Sequence, residues 1–329
     1  MRAMIIRESG EPEVFQAADI AAPEITPGQV LVRVAASSVN PVDWKIRKLN
    51  PPLAPDFPAV LHGDVAGVVE AVGADVRDFA TGDEVYGCAG GVKGTGGALA
   101  ELMACGAEYL APKPANLSMA EAAALPLVCL TAWEGLVDGA NVGWGQTVLV
   151  HAGAGGVGHV AIQIAVARGA KVFATVSGPQ KAAVVRDFDA IPINYREQSV
   201  EDYVAEHTGG LGFDIVYDTV GGDNIPKSWA AAKLRGTVIS CQTNSTQDLT
   251  PLHLKGLQHI GVLMLIPLLH GVGGARHGQI MREITALADS GQIRPLLDGE
   301  PFALQDVAAA HARLESGQAM GKVVVQVSG

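Results

Sequence analysis

The segment from Thr147 to Gly158, T-V-L-V-H-A-G-A-G-G-V-G, places the strongest constraint on the fold of this chain. Its first part, Val148 to His151, is a short apolar run typical of a buried β-strand. A turn with the glycine spacing G-x-G-x-x-G follows directly, and an amphipathic helix is predicted after it. Strand, glycine turn and helix in this order form the pattern that binds dinucleotides. The chain is therefore predicted to contain a Rossmann unit.

The glycines of this turn have distinct expected roles. We expect Gly153 to permit the tight turn, Gly155 to let the backbone approach a pyrophosphate, and Gly158 to let the helix pack close to the strand. The N-terminus of the helix then faces the phosphates with its partial positive charge. Because the chain contains 40 glycines, a chance match is the alternative, and the flanking strand and helix argue against it. The cofactor-binding residues predicted here are Gly153, Ala154, Gly155, Gly156, Val157 and Gly158.

Composition limits the classes of partner. The chain has 329 residues, enough for two domains, and a net charge of −11, which argues against nucleic acid and anionic membrane surfaces as partners. The longest apolar run, Ile260 to Leu269, is too short to span a bilayer. The cysteines form no C-x-x-C pair, and such isolated thiols are typical of a reducing, cytoplasmic environment. They are Cys88, Cys105, Cys129 and Cys241.

Strand and helix patterns divide the chain. Residues 1–122 show short strands separated by glycine and proline, which predicts a β-rich domain. Residues 123–266 alternate strands with helices, which predicts an α/β domain with a doubly wound parallel sheet. Its strands are predicted at 147–151, 171–175, 191–194, 214–218, 236–241 and 261–266, and Pro192 indicates that the third lies at an edge. From residue 267 the alternation stops, and a terminal strand at 321–327 is expected to complete the first domain.

Five further motifs occur in a fixed order along the chain. They are N-P-V-D at 40–43, G-D-V-A-G-V-V-E-A-V-G at 63–73, G-D-E-V-Y-G at 82–87, Y-D-T-V-G-G at 217–222, and L-E-S-G at 314–317 followed by Gly321-Lys322. In this order the chain resembles the medium-chain dehydrogenase/reductase superfamily, and within it the zinc-independent quinone oxidoreductase (zeta-crystallin-like) group. The resemblance implies a GroES-like catalytic domain at 1–122 and 267–329, a Rossmann domain at 123–266, and an active site in the cleft between them.

The resemblance also bears on metal binding. Zinc-dependent relatives have a cysteine where this chain has Asn40, and a histidine where it has Gly63. His62 lies one residue too early, and a one-residue shift re-aims a side chain. Zinc needs three or four convergent ligands, which we cannot assemble from this sequence. We therefore expect no metal site, and we expect His62 to be a hydrogen-bonded structural residue.

Three catalytic candidates follow from the N-P-V-D motif. The resemblance places Asn40 near the nicotinamide ribose and the substrate, although a turn residue preceding Pro41 is an equally good interpretation. Family members often carry a tyrosine just after this motif, where this chain has Trp44 and Lys45. Trp44 is a candidate pocket wall or a core residue, and Lys45 is a candidate hydrogen-bond donor. The identity of the proton donor stays open.

The remaining candidates concern the cofactor. Thr131 resembles a threonine on the nicotinamide side, with a helix-interior threonine as the alternative, and Thr219 belongs to the Y-D-T-V-G-G motif. Lys322 resembles a lysine beside the nicotinamide, with a solvated lysine at a strand edge as the alternative. Ser177, Lys181 and Tyr195 match residues that the family places around a 2′-phosphate. Because no acidic residue occurs between Gly158 and Asp187 to bind a ribose 2′-hydroxyl, we predict NADPH rather than NADH.

These observations together predict an enzyme. It should transfer a hydride from NADPH to the activated C=C bond of a quinone or an α,β-unsaturated carbonyl, without a metal ion. An alcohol dehydrogenase or another reductase of the superfamily is one alternative, and a non-catalytic nucleotide-binding protein is another. The apolar segment Gly261 to Ile266, predicted as an edge strand, further suggests a homodimer because an exposed apolar edge is a liability unless paired.

Overall fold

The computed structural model describes residues 1–328 and divides the chain into two compact units. Unit 1 is formed by Met1–Leu127 and by the chain from Leu265 onward, and unit 2 is Val128–Met264. Unit 1 contains two β-sheets and unit 2 contains one. Within residues 1–328, no helix has the length and apolar character that crossing a membrane requires.

The first part of unit 1 consists mainly of strands. They are β1 (Arg2–Ile6), β2 (Gln16–Asp19), β3 (Gln29–Val39), β4 (Ala59–Val60), β5 (Asp64–Val72), β6 (Glu84–Cys88), β7 (Leu102–Gly106) and β8 (Leu110–Pro112). Two helices accompany them, α1 (Pro41–Leu49) and α2 (Met119–Ala123). Strand β3 alternates buried valines with half-buried or exposed positions along its first half, which is the pattern of a strand that covers a core on one face.

Unit 2 is an α/β domain, as predicted. Its helices and strands in chain order are α3 (Pro126–Trp133), β9 (Thr147–Val150), α4 (Gly156–Ala167), β10 (Lys171–Val176), α5 (Pro179–Asp187), β11 (Ile191–Asn194), α6 (Val200–Thr208), β12 (Phe213–Asp218), α7 (Ile225–Ala231), β13 (Ala232–Ser240), α8 (Thr250–Lys255) and β14 (Gln258–Gly261). All pairs in its sheet are parallel, in the order β11-β10-β9-β12-β13-β14. Strand β11, which contains Pro192, lies at an edge, and that prediction is confirmed.

The prediction of a sixth strand at Gly261–Ile266 is wrong. The sixth strand of the sheet is instead β14, Gln258–Gly261. It pairs with β13 and ends where β13 ends, at the pair Ser240 and Gly261. After one more hydrogen bond, from Val262 N to Ser240 O at 2.9 Å, the chain has no neighbouring strand to follow. The apolar residues beyond it enter a turn and a helix that begins at Ile266 with Pro267 in its first turn.

The C-terminal part of unit 1 comprises α9 (Ile266–His270), α10 (Gly274–Asp289), β15 (Phe302–Ala303), α11 (Val307–Glu315) and β16 (Val323–Gln326). Strand β16 pairs antiparallel with β3, so that Val323 lies opposite Val39. The larger sheet of unit 1 has the order β15-β16-β3-β5-β6-β8, with β7 also paired to β3, and the smaller sheet has the order β2-β1-β4. This pairing brings Lys322 to the end of β3, beside the N-P-V-D motif.

Candidate active site

The glycine turn of unit 2 follows β9 and begins at His151. Its left-handed residue is Ala152, with φ 54°, so the expectation that Gly153 supplies the tight turn is wrong. Gly153 serves close packing instead, because a Cβ there would lie 2.6 Å from the Cβ of Ala174 on β10. A Cβ at Gly158 would lie 2.2 Å from the carbonyl oxygen of Ala152, so this glycine does bring the helix against the turn.

Helix α4 presents its N-terminus at the end of this turn. Its cap residue Gly155 is extended, and no side chain occupies the cap. The first turn contains no acidic residue, so the N–H groups that lack intrahelical partners remain available to an anion. A strand, a close-packed glycine turn and an uncapped helix N-terminus together fit the pyrophosphate of a dinucleotide.

The three residues assigned to a 2′-phosphate follow neighbouring strands. Val176 of β10 pairs with Asn194 of β11, and Tyr195 N donates a hydrogen bond of 3.2 Å to Val176 O, so Ser177 and Tyr195 leave adjacent strand ends. Lys181 lies in the first turn of α5, a helix that also begins at a glycine and has no acidic residue in that turn. Ser177 and Lys181 are half-buried, whereas Tyr195 is 54% exposed. A cation and a helix N-terminus here favour an anion.

A cavity of about 610 Å³ opens at the carboxyl ends of β9 to β12. The strand order reverses between β9 and β12, and ligands of such sheets bind at this reversal. Thr219 Oγ1 donates to His151 O at 2.7 Å, and the Asp218 carboxylate accepts from Val220 N and Gly221 N, which holds the loop after β12 in place. The residues that line the cavity include His151, Thr175, Tyr195, Tyr203, Val220 and Asn224.

Thr131 lies in the interior of α3. Its side chain is buried, and its carbonyl oxygen accepts a hydrogen bond of 2.7 Å from the Tyr217 hydroxyl. Tyr217 belongs to β12, so this bond ties the helix to the nucleotide-binding sheet. A contact of Thr131 with the nicotinamide stays a prediction.

Unit 1 contains a buried polar cluster built on Asn40. The backbone N–H of Asn40 donates to Asp43 Oδ2 at 2.7 Å and so starts helix α1 at the end of β3. The Asn40 side chain donates from Nδ2 to Asp64 Oδ2, also at 2.7 Å. Its carbonyl oxygen Oδ1 accepts a hydrogen bond from the Lys322 ammonium. Asn40 is therefore both the turn residue before Pro41 and a member of a side-chain network.

Lys322 carries a buried charge in this cluster. Its side chain is 3% exposed and also donates to Val39 O at 3.3 Å and to Asp64 Oδ2 at 3.4 Å, so the alternative of a solvated lysine is wrong. Asp64 additionally accepts from Ser38 Oγ at 2.7 Å and from Leu127 N at 2.8 Å. Burial raises the pKa of the neighbouring Asp43 carboxyl to about 7.

His62 is a buried, hydrogen-bonded residue, as the sequence predicts. Its Nδ1 lies 3.2 Å from Ser37 Oγ, and its Nε2 lies 2.8 Å from Nε2 of His311 on α11. Gly63 cannot accept a side chain, because a Cβ there would lie 2.7 Å from Gly90 O. Among residues 1–328, no group of three or more His, Cys, Asp or Glu side chains has an arrangement that could hold a metal ion.

Trp44 and Lys45 lie next to this cluster in sequence, on helix α1, and both are half-buried. The Lys45 ammonium lies 5.7 Å from the centroid of the Trp44 ring, at the distance of a cation–π contact. Their contact with a substrate stays a prediction.

The residues predicted from the sequence divide between the two units. Asn40, Trp44, Lys45 and Lys322 belong to unit 1, whereas the nucleotide-binding candidates and Thr131 belong to unit 2. The sequence motifs do not single out two further residues of interest, Asp64 and His151. Asp64 stands as the acid directly before an apolar strand, which is a usable signal of a buried charge, whereas His151 resembles any polar residue that ends a strand.

Two family models match the chain. One, described as alcohol dehydrogenase GroES-like domain, matches residues 26–115, and the other, described as zinc-binding dehydrogenase, matches residues 187–325. The NADPH-dependent alkenal/one oxidoreductase of Arabidopsis thaliana chloroplasts is 35% identical over 99% of this chain and 79% of its own length. The chain belongs to the medium-chain dehydrogenase/reductase superfamily.

Solved structures agree in fold over the full length. An alcohol dehydrogenase superfamily protein from Novosphingobium aromaticivorans superposes with a TM-score of 0.96, with 45% sequence identity and 100% of both chains covered. The Escherichia coli quinone oxidoreductase in complex with NADPH superposes with a TM-score of 0.88, with 29% identity, over 99% of this chain and 100% of that chain.

Proposed function

We propose that this protein is an NADPH-dependent oxidoreductase that reduces the conjugated C=C bond of a quinone or an α,β-unsaturated carbonyl without a metal ion. The observation that carries the proposal is the buried cluster of Asn40, Asp64 and Lys322, in which Asn40 holds the position that the family resemblance assigns to a zinc-binding cysteine. The alkenal/one oxidoreductase and quinone oxidoreductase relatives support the substrate class.

The chemistry suits such a cluster. Bound NADPH supplies a hydride, and addition to a conjugated acceptor spreads the resulting negative charge toward the carbonyl oxygen. Fixed hydrogen-bond donors stabilise that charge best when they need no reorganisation. Asn40 uses one of its two amide hydrogens on Asp64, and the Lys322 ammonium keeps a positive charge beside the amide. Lys45 is a further candidate hydrogen-bond donor. The protein must in addition position the acceptor carbon of the substrate close to the hydride of the cofactor.

The choice of NADPH is supported by the strand ends of unit 2. Lys181 provides a positive charge at the N-terminus of α5, and Ser177 and Tyr195 provide hydroxyl groups at adjacent strand ends. No carboxylate occupies the end of β10, where an NAD enzyme needs one for the 2′-hydroxyl.

The test follows NADPH oxidation with a simple quinone, a linear enone and a simple ketone as acceptors, and NADP⁺ reduction with a saturated alcohol as the hydride donor. We expect turnover of the quinone or the enone, no loss of rate after treatment with a strong chelator, and less than stoichiometric zinc by elemental analysis. Chelator-sensitive alcohol oxidation with stoichiometric zinc and no quinone or enone turnover would favour the alcohol dehydrogenase alternative. Tight NADPH binding without any turnover would favour the non-catalytic one.

We also propose that the protein is a cytoplasmic homodimer. Strand β14 has a neighbour on one side only, so its other edge offers unpaired backbone groups to the same strand of a second copy. Leu263 and Ile266 are exposed just beyond this edge. Sedimentation that finds only monomer at micromolar concentration would refute the dimer. The cysteine thiols are all free, in keeping with a reducing compartment, and cell fractionation tests that location.

A further inference from the structure

The cavity at the sheet reversal of unit 2 contains a buried hydrogen-bonding group without a partner. His151 lines this cavity, its side chain is 4% exposed, and its Nε2 makes no hydrogen bond within the described chain. Buried polar atoms in folded proteins nearly always have a partner, so an orphaned ring nitrogen beside a cavity of about 610 Å³ indicates a missing ligand or water.

The hydrogen bonds around His151 define what it offers. Thr175 Oγ1 accepts a hydrogen bond from Ala152 N at 3.0 Å and lies 3.3 Å from His151 Nδ1. In the tautomer that carries its ring proton on Nε2, Nδ1 accepts a hydrogen bond from the Thr175 hydroxyl. Burial lowers the pKa of His151 to about 4, so the ring is neutral at pH 7. With Nδ1 bonded to Thr175, we assign the single ring proton to Nε2, the nitrogen without a partner. His151 thus presents an uncharged N–H donor.

Two proposed phosphate positions locate the ligand that this donor meets. The pyrophosphate is assigned to the N-terminus of α4, and the 2′-phosphate to Ser177, Lys181 and Tyr195. Tyr195 itself lines the cavity, as does Ala152 of the glycine turn. The adenosine part of the cofactor connects these two phosphate positions, so it has to lie at the mouth of this cavity.

We propose that His151 is a specificity-determining residue for the adenosine end of the cofactor, to which it donates a hydrogen bond from Nε2. The acceptor is a ring nitrogen of the adenine or an oxygen of its ribose. This inference rests on the proposed function, in that it assumes NADPH as the ligand. It adds a residue that neither the glycine motif nor the 2′-phosphate site includes.

The experiment measures binding of two cofactor halves by calorimetry: adenosine 2′,5′-bisphosphate, and reduced nicotinamide mononucleotide. His151→Phe keeps a ring but has no donor, and His151→Gln keeps a donor. His253→Phe is the matched control, because His253 is exposed on α8 and does not line the cavity. We expect His151→Phe to weaken the bisphosphate about tenfold and His151→Gln less than about threefold. The control should bind as the wild type does, and no variant should change affinity for the mononucleotide.

A folded His151→Phe that binds the bisphosphate as tightly as the wild type would overturn the inference, as would equal weakening of both halves. If His151→Phe fails to fold, an NMR measurement on the wild-type protein provides the test. With ¹⁵N-labelled histidine, the Nε2–H signal of His151 should shift when the bisphosphate is added, and an unchanged signal would overturn the inference. Failure of the wild type to bind NADPH would instead refute the proposed function. NADPH binding by the wild type together with an unaffected His151→Phe would refute the role of His151 alone.

Discussion

Asn40 Nδ2 donates a hydrogen bond of 2.7 Å to Oδ2 of Asp64. A carboxylate only accepts hydrogen bonds and an ammonium only donates them. With Asp64 at one end of the amide and Lys322 at the other, the Asn40 side chain has one permitted orientation. The protein itself therefore fixes the direction of the second amide hydrogen, as the proposed stabilisation of developing charge requires.

Removing the charge of Asp64 should lower the stability of unit 1 and the activity of the enzyme. Asp64→Asn leaves the buried Lys322 ammonium without its counter-charge. We expect a loss of about 3–5 kcal/mol in the free energy of unfolding, because one partner of a buried ion pair is removed. We also expect kcat to fall more than about tenfold. Calorimetric unfolding and steady-state kinetics measure the two effects.

The control for this substitution lies on the same strand. Glu70 on β5 pairs with Arg33 at 3.1 Å, and both side chains are largely exposed. Glu70→Gln should cost less than about 1 kcal/mol, as exposed pairs do. Equal unfolding temperatures for Asp64→Asn and the wild type would contradict a buried, charge-balanced cluster.

Lys181 should determine the preference for NADPH. Lys181→Ala removes the cation assigned to the 2′-phosphate, so kcat/KM for NADPH should fall about 10- to 100-fold, the range of one charge-assisted hydrogen bond. The value for NADH should not change. Arg186→Ala, an exposed residue in the last turn of the same helix, serves as the control. An unchanged ratio of the two kcat/KM values in Lys181→Ala would reject this assignment.

Gly158→Ala should separate the helix from the glycine turn. The new Cβ would lie 2.2 Å from the carbonyl oxygen and 2.9 Å from the carbonyl carbon of Ala152, and backbone atoms cannot rotate away. We expect a loss of about 1–3 kcal/mol in stability and NADPH binding weakened by more than about tenfold. Gly143→Ala provides the comparison, because no heavy atom lies within 4 Å of a Cβ at that position. Fluorescence titration with NADPH tests both, and similar affinities in the two variants would rule out the packing role.

The pair His62 and His311 should make stability fall in acid. Burial, and secondly the charge of Lys322, lowers the pKa of His62 to about 3, and burial lowers the pKa of His311 well below its usual range. Below pH 6.5 the unfolded chain binds protons that the folded chain does not. The stabilisation is therefore complete above about pH 6.5 and is lost as the pH falls toward about 3.

The expected loss by pH 5 is about 2 kcal/mol for His62, and His311 adds a loss in the same direction. The raised pKa of Asp43 acts in the opposite sense, because it destabilises the fold as the pH rises through about 7. Comparing wild type with His311→Phe isolates the histidines, since Asp43 is present in both proteins. Unfolding measured at pH 7.5 and pH 5 should show a smaller loss in the variant than in the wild type or in His253→Phe. Parallel losses in all three proteins would contradict this origin.

The sequence predicts local features well and distant contacts poorly. The strand, turn and helix around Gly158 depend on neighbouring residues, so their spacing is visible in the chain. The apolar run predicts the sixth strand of unit 2 too far along the chain, because the end of that strand is set by its partner, Ser240. In the same way, Ala152 rather than Gly153 takes the left-handed position, although glycine is the residue that favours it.

The polar cluster of Asn40, Asp64 and Lys322 also depends on contacts between residues that are distant in the sequence. A family resemblance points to Asn40 and Lys322, but nothing in the sequence joins Lys322 to Asp64, which lies 258 positions away. Only the pairing of β16 with β3 brings the lysine to the strand end. The burial of Lys322 is likewise a property of this arrangement, which is why a solvated lysine was a reasonable alternative.

The separation of Asp64 from Lys322 has a consequence during protein synthesis. The ribosome makes Asn40 and Asp64 early and Lys322 only after all of unit 2. The nucleotide-binding sheet therefore has all its strands while the carboxylate in the earlier part of unit 1 still lacks its cation. A nascent chain at that stage should bind cofactor before it can reduce anything, so cofactor binding and catalysis should arise at different chain lengths.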